Sequence, residues 1–323
     1  MNFLIPGGAG YIGSHMARYA NKLGHEVVIL DNFSTGNRWA VNDFEVIEVD
    51  LLDKLSLSNK LKNRSFDGVF HFAAKSLVAE SVKKPELYFR NNVEGTLNLI
   101  DVMLENDNNN LILSSSAAIF GNPISKKINE NHPKKPINPY GYSKLMVEQI
   151  LETICNAHNF NACCFRYFNA AGADDSGDIG EFHEPETHLI PNILNSCVSK
   201  DHSVKVFGND YDTVDGTCIR DYVHVNDLAN AHLLGLNYLK KNKGFSGFNI
   251  GNSEGYSILD VINTCSNIIG HKINYEFHQP RFGDPAMLVA DSSLIAEKLN
   301  WTPEYQSLDE IIKTAWNWHK SLI

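Results

Sequence analysis

The tightest constraint on this chain lies at its start. A short apolar stretch, Phe3-Leu4-Ile5, runs into Gly7-Gly8-Ala9-Gly10-Tyr11-Ile12-Gly13, and a helical pattern continues to Leu23. Glycines between a strand and a helix allow a tight turn and close approach of backbone to a pyrophosphate, which would rest on the N–H groups opening the helix. A second apolar strand over 26–30 ends in Asp31 and Asn32. An acid there accepts from adenosine ribose hydroxyls and repels a 2′-phosphate. No Lys or Arg follows until Arg38, so the pattern selects NAD over NADP. Pro6 reads as lying just past the last ladder bond, because proline has no N–H to give a central strand.

The alternation continues. A strand over 46–49 ends in Asp50-Leu51, placed to meet an adenine; one over 69–72 opens into Ala73-Ala74-Lys75-Ser76. A helix over 88–104 carries Asn92 near its start, and a strand over 111–113 ends in Ser114-Ser115-Ser116. Strand–helix alternation at this spacing predicts an α/β fold with a doubly wound parallel sheet of Rossmann type, its ligands at the carboxyl ends of the strands. Apart from Asn92, each of these residues follows a strand.

Pro139-Tyr140-Gly141-Tyr142-Ser143-Lys144 opens another apolar-periodic run. Pro139 suits a first helical position, and Tyr140 and Lys144 then share one helix face. A phenol ordinarily ionises near pH 10; a neighbouring ammonium and a helix N-terminus both favour the phenolate. The pair is a device for exchanging protons near neutrality.

At 323 residues the chain exceeds what one core comfortably covers, so two domains are expected. They are a nucleotide-binding domain over 1–169 and a smaller α/β domain over 170–323, with a helix over 225–239 returning to the first and helices over 258–269 and 308–319 completing the second. A formal charge of −10 argues against nucleic acid or an anionic membrane as partner. An anionic ligand would need local arginines. Six cysteines without C-x-x-C pairing read as buried thiols in a reducing compartment. The first strand leaves no room for a signal peptide and no apolar run is of membrane-spanning length, so a cytoplasmic protein is expected. In the loop over 172–186, His183 and His188 flank Glu184 and Glu186; this spacing lacks the form of a closed site, and no metal is assigned.

Gly7–Gly13, Ser114-Ser115-Ser116 and Tyr140-x-x-x-Lys144, in this order, resemble the extended short-chain dehydrogenase/reductases. More narrowly, residues 7–15, Asp31-Asn32, Asn91-Asn92-Val93, residues 143–149, Arg166-Tyr167-Phe168-Asn169, residues 207–211, Asp215-Gly216-Thr217, residues 220–225 and Arg281-Phe282-Gly283-Asp284-Pro285 resemble the UDP-hexose 4-epimerases within that family. The resemblance covers essentially the whole chain. It implies an isomerase interconverting UDP-galactose and UDP-glucose on bound NAD: Tyr140 moves the proton of the sugar 4-hydroxyl, Lys144 holds the nicotinamide ribose and lowers the Tyr140 pKa, and Ser116 hydrogen-bonds the 4-oxygen. It adds Tyr11, Ile12, Asn32, Phe72, Ala73, Ala74, Asn92 and Tyr167 to Gly7, Gly10, Asp31, Asp50 and Leu51 as cofactor contacts. For the UDP-hexose it implies Asn169, His188 and Leu189 near the diphosphate, Phe207 at the uracil, Arg220 and Arg281 on the phosphates, Asp284 on the ribose, and Ser76 and Leu288 near the hexose.

Related 4,6-dehydratases carry an Asp-Glu pair after the serine; here those positions are Ala117-Ala118, which argues against dehydration. Phe120 is assigned only packing. Leu288 stands where some relatives have tyrosine, which leaves room for an N-acetyl group. Another UDP-sugar enzyme (a pentose or uronate epimerase or a decarboxylase) and a non-catalytic NAD-binding regulator remain as alternatives. A homodimer is expected through helices 85–105 and 140–158, on the strength of Leu97, Leu99, Ile100, Met103, Met146, Ile150 and Ile154.

Overall fold

The computed structural model describes residues 1–198, 203–281 and 284–322. β1 (Asn2–Pro6) leads through the glycine turn into α1 (Tyr11–Lys22), followed by β2 (Glu26–Asp31), β3 (Glu45–Glu48), α2 (Lys54–Leu61) and β4 (Gly68–His71). α3 (Val78–Lys83), α4 (Pro85–Tyr88), a π-helical turn (Phe89–Glu94) and α5 (Gly95–Glu105) lead to β5 (Asn110–Ser116), α6 (Pro139–Ala157) and β6 (Asn161–Tyr167). Next come β7 (Asn169–Ala171), α7 (Leu189–Val198), β8 (Val204–Phe207), β9 (Ile219–Arg220), β10 (Tyr222–His224) and α8 (Val225–Leu239). β11 (Phe245–Ile250), β12 (Tyr256–Ser257), α9 (Ile258–Ile269), β13 (Tyr275–His278), β14 (Met287–Leu288), α10 (Ser293–Leu299) and α11 (Leu308–Lys320) complete the order.

The main sheet has seven strands in the order β3-β2-β1-β4-β5-β6-β11, parallel from β3 through β5. This is the doubly wound arrangement that the alternation predicts. A sheet covered on both faces needs apolar residues in succession rather than in alternation. Phe3, Leu4, Ile5, Val69, Phe70, Leu111 and Ile112 accordingly are all buried. The strand order reverses between β1 and β4, which opens a crevice at their carboxyl ends.

Two compact units emerge. One comprises residues 1–121, 133–166 and 229–248; the other comprises 122–132, 167–228 and 249 onward. This is more interleaved than a split at 169. α8 changes unit at Leu228/Ala229, and the strand after it, β11, supplies an edge of the main sheet. Residues 122–132 sit with the second unit because Ile128, fully buried, donates its N–H to Val289 and accepts from Asp291 N–H. The second unit has its own core, which includes Ile193, Val261, Ile262, Ile311 and Ile312. Around it lie the pairs β7–β10 and β8–β13 and the triplet β12-β9-β14.

Three expectations need correction. Pro6 lies inside β1, in register with Leu30, and it takes part in the sheet as an acceptor alone, its carbonyl receiving Phe72 N–H and Ala73 N–H. The helix over 88–104 is broken by the π-helical turn at Phe89–Glu94. Leu99, Ile100 and Met103 belong to the core and Ile150 and Ile154 pack against it, which leaves Leu97 and Met146 exposed on those helices. Among the described residues no helix is long and apolar enough to cross a membrane.

Candidate active site

The glycine turn is shaped by what it touches. Gly7 has φ +77°, and a Cβ there would lie 2.3 Å from Ala73 N; a Cβ on Gly13 would lie 2.3 Å from Gly7 O. The end of β1, the end of β4 and the first turn of α1 are therefore in backbone contact at the switch point, and no side chain caps α1 at Gly10. That open helix end, with no acidic residue in its first turn, fits a pyrophosphate.

At the end of β2, Asp31 accepts from Ala9 N–H at 2.9 Å and Phe33 N–H at 2.8 Å. Burial raises its carboxyl pKa and these N–H groups oppose the rise. A carboxylate has about four acceptor positions, so capacity for ribose hydroxyls remains. Arg38, the first cation after β2, stacks 3.8 Å over Phe33 and pairs with Glu48 at 2.6 Å. A surface cation so engaged is a poor receptor for a 2′-phosphate, and the residues present fit NAD. Asn32 Nδ2 donates to Asp50 Oδ2 at 2.8 Å, which ties the ends of β2 and β3 together. Leu51 is buried beside Gly95. Tyr11 and Ile12 open α1, and Phe72, Ala73, Ala74 and the exposed Ser76 follow β4.

Asn92 lies on the π-helical turn, 2% exposed, and its amide is fully engaged. Oδ1 accepts from Lys75 N–H at 2.8 Å; Nδ2 donates to Lys75 O at 3.0 Å and Ser143 Oγ at 2.9 Å. It clamps the loop after β4 onto α6. Tyr140, Lys144 and Ser116 come together as the spacing requires. α6 begins at Pro139 with Asn138 as N-cap, its Oδ1 accepting from Gly141 N–H at 2.9 Å. Lys144, 4% exposed, donates to Ser114 O at 2.7 Å. Ser116 hydrogen-bonds Tyr140 from the end of β5, and Tyr88 meets the Tyr140 ring edge-on at 6.5 Å.

The electrostatics differ from the sequence expectation. Burial raises the Tyr140 pKa, and the hydrogen bond from Ser116 is what opposes it. Burial lowers Lys144 to about 8, with Glu148 among the groups pulling it back up. Lys144 is thus an ammonium easily discharged near neutrality.

Behind this set lies a network that the sequence analysis assigns no role. Glu148, 2% exposed in its side chain, accepts from Arg166 Nε at 2.8 Å and Nη2 at 2.9 Å. It also accepts from Ser115 Oγ at 2.6 Å and Lys134 Nζ at 3.3 Å. Glu148 follows Lys144 by four residues, so the signal was present: positions 140, 144 and 148 share one face. Gly247 is needed here too, since a Cβ would meet Arg166 Nη2 at 2.4 Å.

Most of the residues that the resemblance assigns to the substrate lie in the second unit, several of them in its short strands. Leu288 is in register with Arg220. Arg220 pairs with Asp284 at 2.5 Å and donates to Ile219 O at 2.8 Å. Arg281 stacks 4.0 Å over Phe207; Phe282 and Gly283 lie outside the described residues. Asn169 donates to Asp221 O at 2.9 Å, Tyr167 is buried at the end of β6, and Leu189 opens α7 just after His188. The Arg220–Asp284 pair was not anticipated, since phosphate and ribose were assigned to them separately. Nor was the grouping of Glu181, His183, Glu186 and His188. Burial draws His188 down, but Glu181 and Glu186 outweigh it and hold the imidazole up at about 9.

A doubly wound sheet with an open, uncapped helix end at its switch point, and a buried lysine and a serine beside one tyrosine, places the chain among dinucleotide-binding proteins that move a proton at a hydroxyl. The comparisons agree: residues 3–251 match the family described as the NAD dependent epimerase/dehydratase family, and the chain belongs to it. It is 45% identical over 320 residues to a UDP-glucose 4-epimerase of Halalkalibacterium halodurans, covering 99% of this chain and 96% of that protein. The UDP-glucose 4-epimerase of Brucella ovis, solved in complex with NAD, superposes with a TM-score of 0.94 at 42% identity over 98% of this chain and 97% of that one. That of Bifidobacterium longum, solved with NAD+ and UDP, gives 0.94 at 34% identity over 99% and 98%.

Proposed function

We infer that the chain is an isomerase interconverting UDP-galactose and UDP-glucose with NAD as bound cofactor. The observation that carries this is the grouping of Ser116, Tyr140 and Lys144 at the carboxyl end of β5, in a chain 45% identical to a UDP-glucose 4-epimerase over nearly its full length. Gly7, Gly10, Tyr11, Ile12, Asp31, Asn32, Asp50, Leu51 and the loop 72–74 would hold the dinucleotide, with Tyr167 as a further contact. NAD, when bound, supplies a reversible two-electron oxidation at the sugar C4. Tyr140 takes the proton of the 4-hydroxyl and later returns it. Ser116 holds that oxygen in line, and the Lys144 ammonium offsets negative charge on the phenol. Proton transfer by a positioned group is worth roughly 10²–10⁴-fold. Inversion follows when the 4-keto sugar turns its opposite face to the cofactor before the hydride equivalent would return to C4, while Tyr140 restores the proton to the 4-oxygen. Ala117 and Ala118 offer no carboxylate for removing water, which weighs against a dehydratase.

Asn169, His188, Leu189, Phe207, Arg220, Arg281, Asp284, Ser76 and Leu288 are the proposed UDP-hexose contacts. With leucine at 288 the hexose pocket admits N-acetylated sugars; absence of any UDP-GalNAc conversion would reject that part. The test of the main reading is incubation with UDP-galactose and no added NAD, scored for UDP-glucose. Wild type converts it, and Tyr140→Phe does not. Reduction of added NAD in proportion to product would instead make it a dehydrogenase.

The exposed Leu97 and Met146 support a homodimer through α5 and α6. Light scattering at micromolar concentration should give twice the chain mass, and a monomeric mass rejects it. Six free thiols suit a reducing compartment, which supports a cytoplasmic location.

A further inference from the structure

Three serines end β5, and three successive turns of α6 answer them. Tyr140 meets Ser116 by a hydrogen bond, and Lys144 Nζ donates to Ser114 O at 2.7 Å. The third contact joins two groups that the proposed reaction does not use: Ser115 Oγ donates to Glu148 Oε1 at 2.6 Å. Both of these side chains are buried. Tyr140, Lys144 and Glu148 stand four residues apart, so the three contacts stack along one face of the helix. Helix and strand also meet without slack at their ends. A Cβ on Gly141, in the first turn of α6, would lie 2.4 Å from Ala118 O.

The Glu148 carboxylate is gripped from three segments. Arg166 on β6 gives it two N–H groups at 2.8 and 2.9 Å, Ser115 on β5 gives its hydroxyl, and Lys134 from the loop before α6 stands at 3.3 Å. Arg166 is fenced in turn. A Cβ on Gly247 would meet its Nη2 at 2.4 Å, and its guanidinium carbon lies 6.0 Å from the centre of the Phe120 ring. Stability alone is a poor reason for such an arrangement, because apolar side chains of similar size often stabilise as well as a buried ion pair. What the network supplies is direction: a carboxylate held by a two-pronged guanidinium and one hydroxyl has a single seat, where an aliphatic side chain could slide. Direction counts here, since moving a reacting group by about 1 Å can cost on the order of 100-fold in rate.

We propose that Glu148, with Ser115 and Arg166, is a positioning residue for the proton transfer: it sets how far α6 stands along β5, and so brings the Tyr140 hydroxyl to Ser116 and Lys144 to the backbone of Ser114. None of the three is placed at the sugar; each acts through another residue. The same carboxylate helps to keep Lys144 charged against the pull of burial. The proposal deepens the isomerase reading and rests on it, because the placing of Tyr140 matters to rate only if Tyr140 moves a proton.

The test uses the full chain as purified. Ser115→Ala cuts the link to β5 and spares the Glu148–Arg166 pair; Glu148→Met/Arg166→Met removes the pair without leaving a buried charge behind. In both, kcat for UDP-galactose should fall about 10- to 100-fold while KM stays within about twofold of wild type. Far-UV circular dichroism and the urea midpoint of the double variant should stay close to wild type, so that a loss of kcat is not a loss of fold. A crystal structure of the double variant gives a readout independent of activity: the Tyr140 hydroxyl should lie beyond hydrogen-bond reach of Ser116, about 3.2 Å. Unchanged kcat in either variant, KM rising in step with the loss of kcat, or an intact Tyr140–Ser116 hydrogen bond in the crystal would each overturn the proposal. Inactivity of the wild type on UDP-galactose would instead sink the isomerase reading, and the crystal structure would still decide whether Glu148 places Tyr140.

Discussion

Glu148→Ala would leave the Arg166 guanidinium, 3% exposed, without the carboxylate that takes two of its N–H groups at 2.8 and 2.9 Å. Removing one partner of a buried ion pair costs about 3–5 kcal/mol, chiefly because the survivor stays buried and uncompensated. Lys134 is a third exposed and can be rehydrated, so it adds little. Set against a typical total stability of about 5–15 kcal/mol, the loss should be plain in equilibrium urea unfolding followed by tryptophan fluorescence. Replacing both partners, as Glu148→Met/Arg166→Met, removes the orphaned charge and should restore stability to within about 1 kcal/mol of wild type. The pH dependence has a definite sign. Burial pushes the Glu148 carboxyl up, but Arg166 and its other partners outweigh this and hold it below the usual range. Its contribution is then complete above the unfolded value of about 4.3 and disappears as pH falls through the lower folded value, where the wild-type and Glu148→Ala curves should converge. A single-variant loss below about 1 kcal/mol, or a double variant no better than the single, refutes this account of the network.

Other outcomes follow from the same geometry. Burial puts Lys144 at about 8, so kcat/KM should fall as pH rises through that value; Lys144→Arg, which cannot discharge, should lose this alkaline limb in a pH–rate profile. Since Glu148 helps to hold Lys144 up, Glu148→Gln should move the limb to lower pH. Gly7→Ala meets both a left-handed φ and the Ala73 backbone at 2.3 Å, and should cost about 3 kcal/mol and abolish NAD copurification, read by absorbance after denaturation. Asp221 is raised to about 7 by burial against three backbone N–H groups, so its contribution to stability declines as pH rises from about 4 to 7; thermal melts of Asp221→Asn should show that slope flattened.

Much of the first unit could be read directly, because its cues are local. A glycine turn between a strand and a helix, an acid at a strand end, and a tyrosine and lysine one turn apart each declare themselves over a few residues. What escaped depends on distant partners. The clamp that Asn92 makes runs through Lys75 and Ser143, far apart in the chain. Arg166 and Glu148 each belong to a resemblance motif, but their pairing appears only when the fold brings α6 beside β6. The π-helical turn leaves no mark in hydrophobic periodicity, because one extra residue per turn shifts the pattern no more than ordinary sequence noise. The grouping of Glu181 with His188 depends on a loop path that no short-range rule dictates.

The interleaving of the two units bears on how the protein can be made and taken apart. The main sheet receives its final strand, Phe245–Ile250, only after the chain has left to build much of the other unit. During synthesis β6 therefore waits with an unpaired edge while nearly eighty further residues emerge, and an open apolar edge invites association with other chains. Cutting once between the units would reproduce that exposed state permanently. A stand-alone nucleotide-binding fragment would instead need rejoining at 121/133 and 166/229, so that the late strand arrives together with its neighbours.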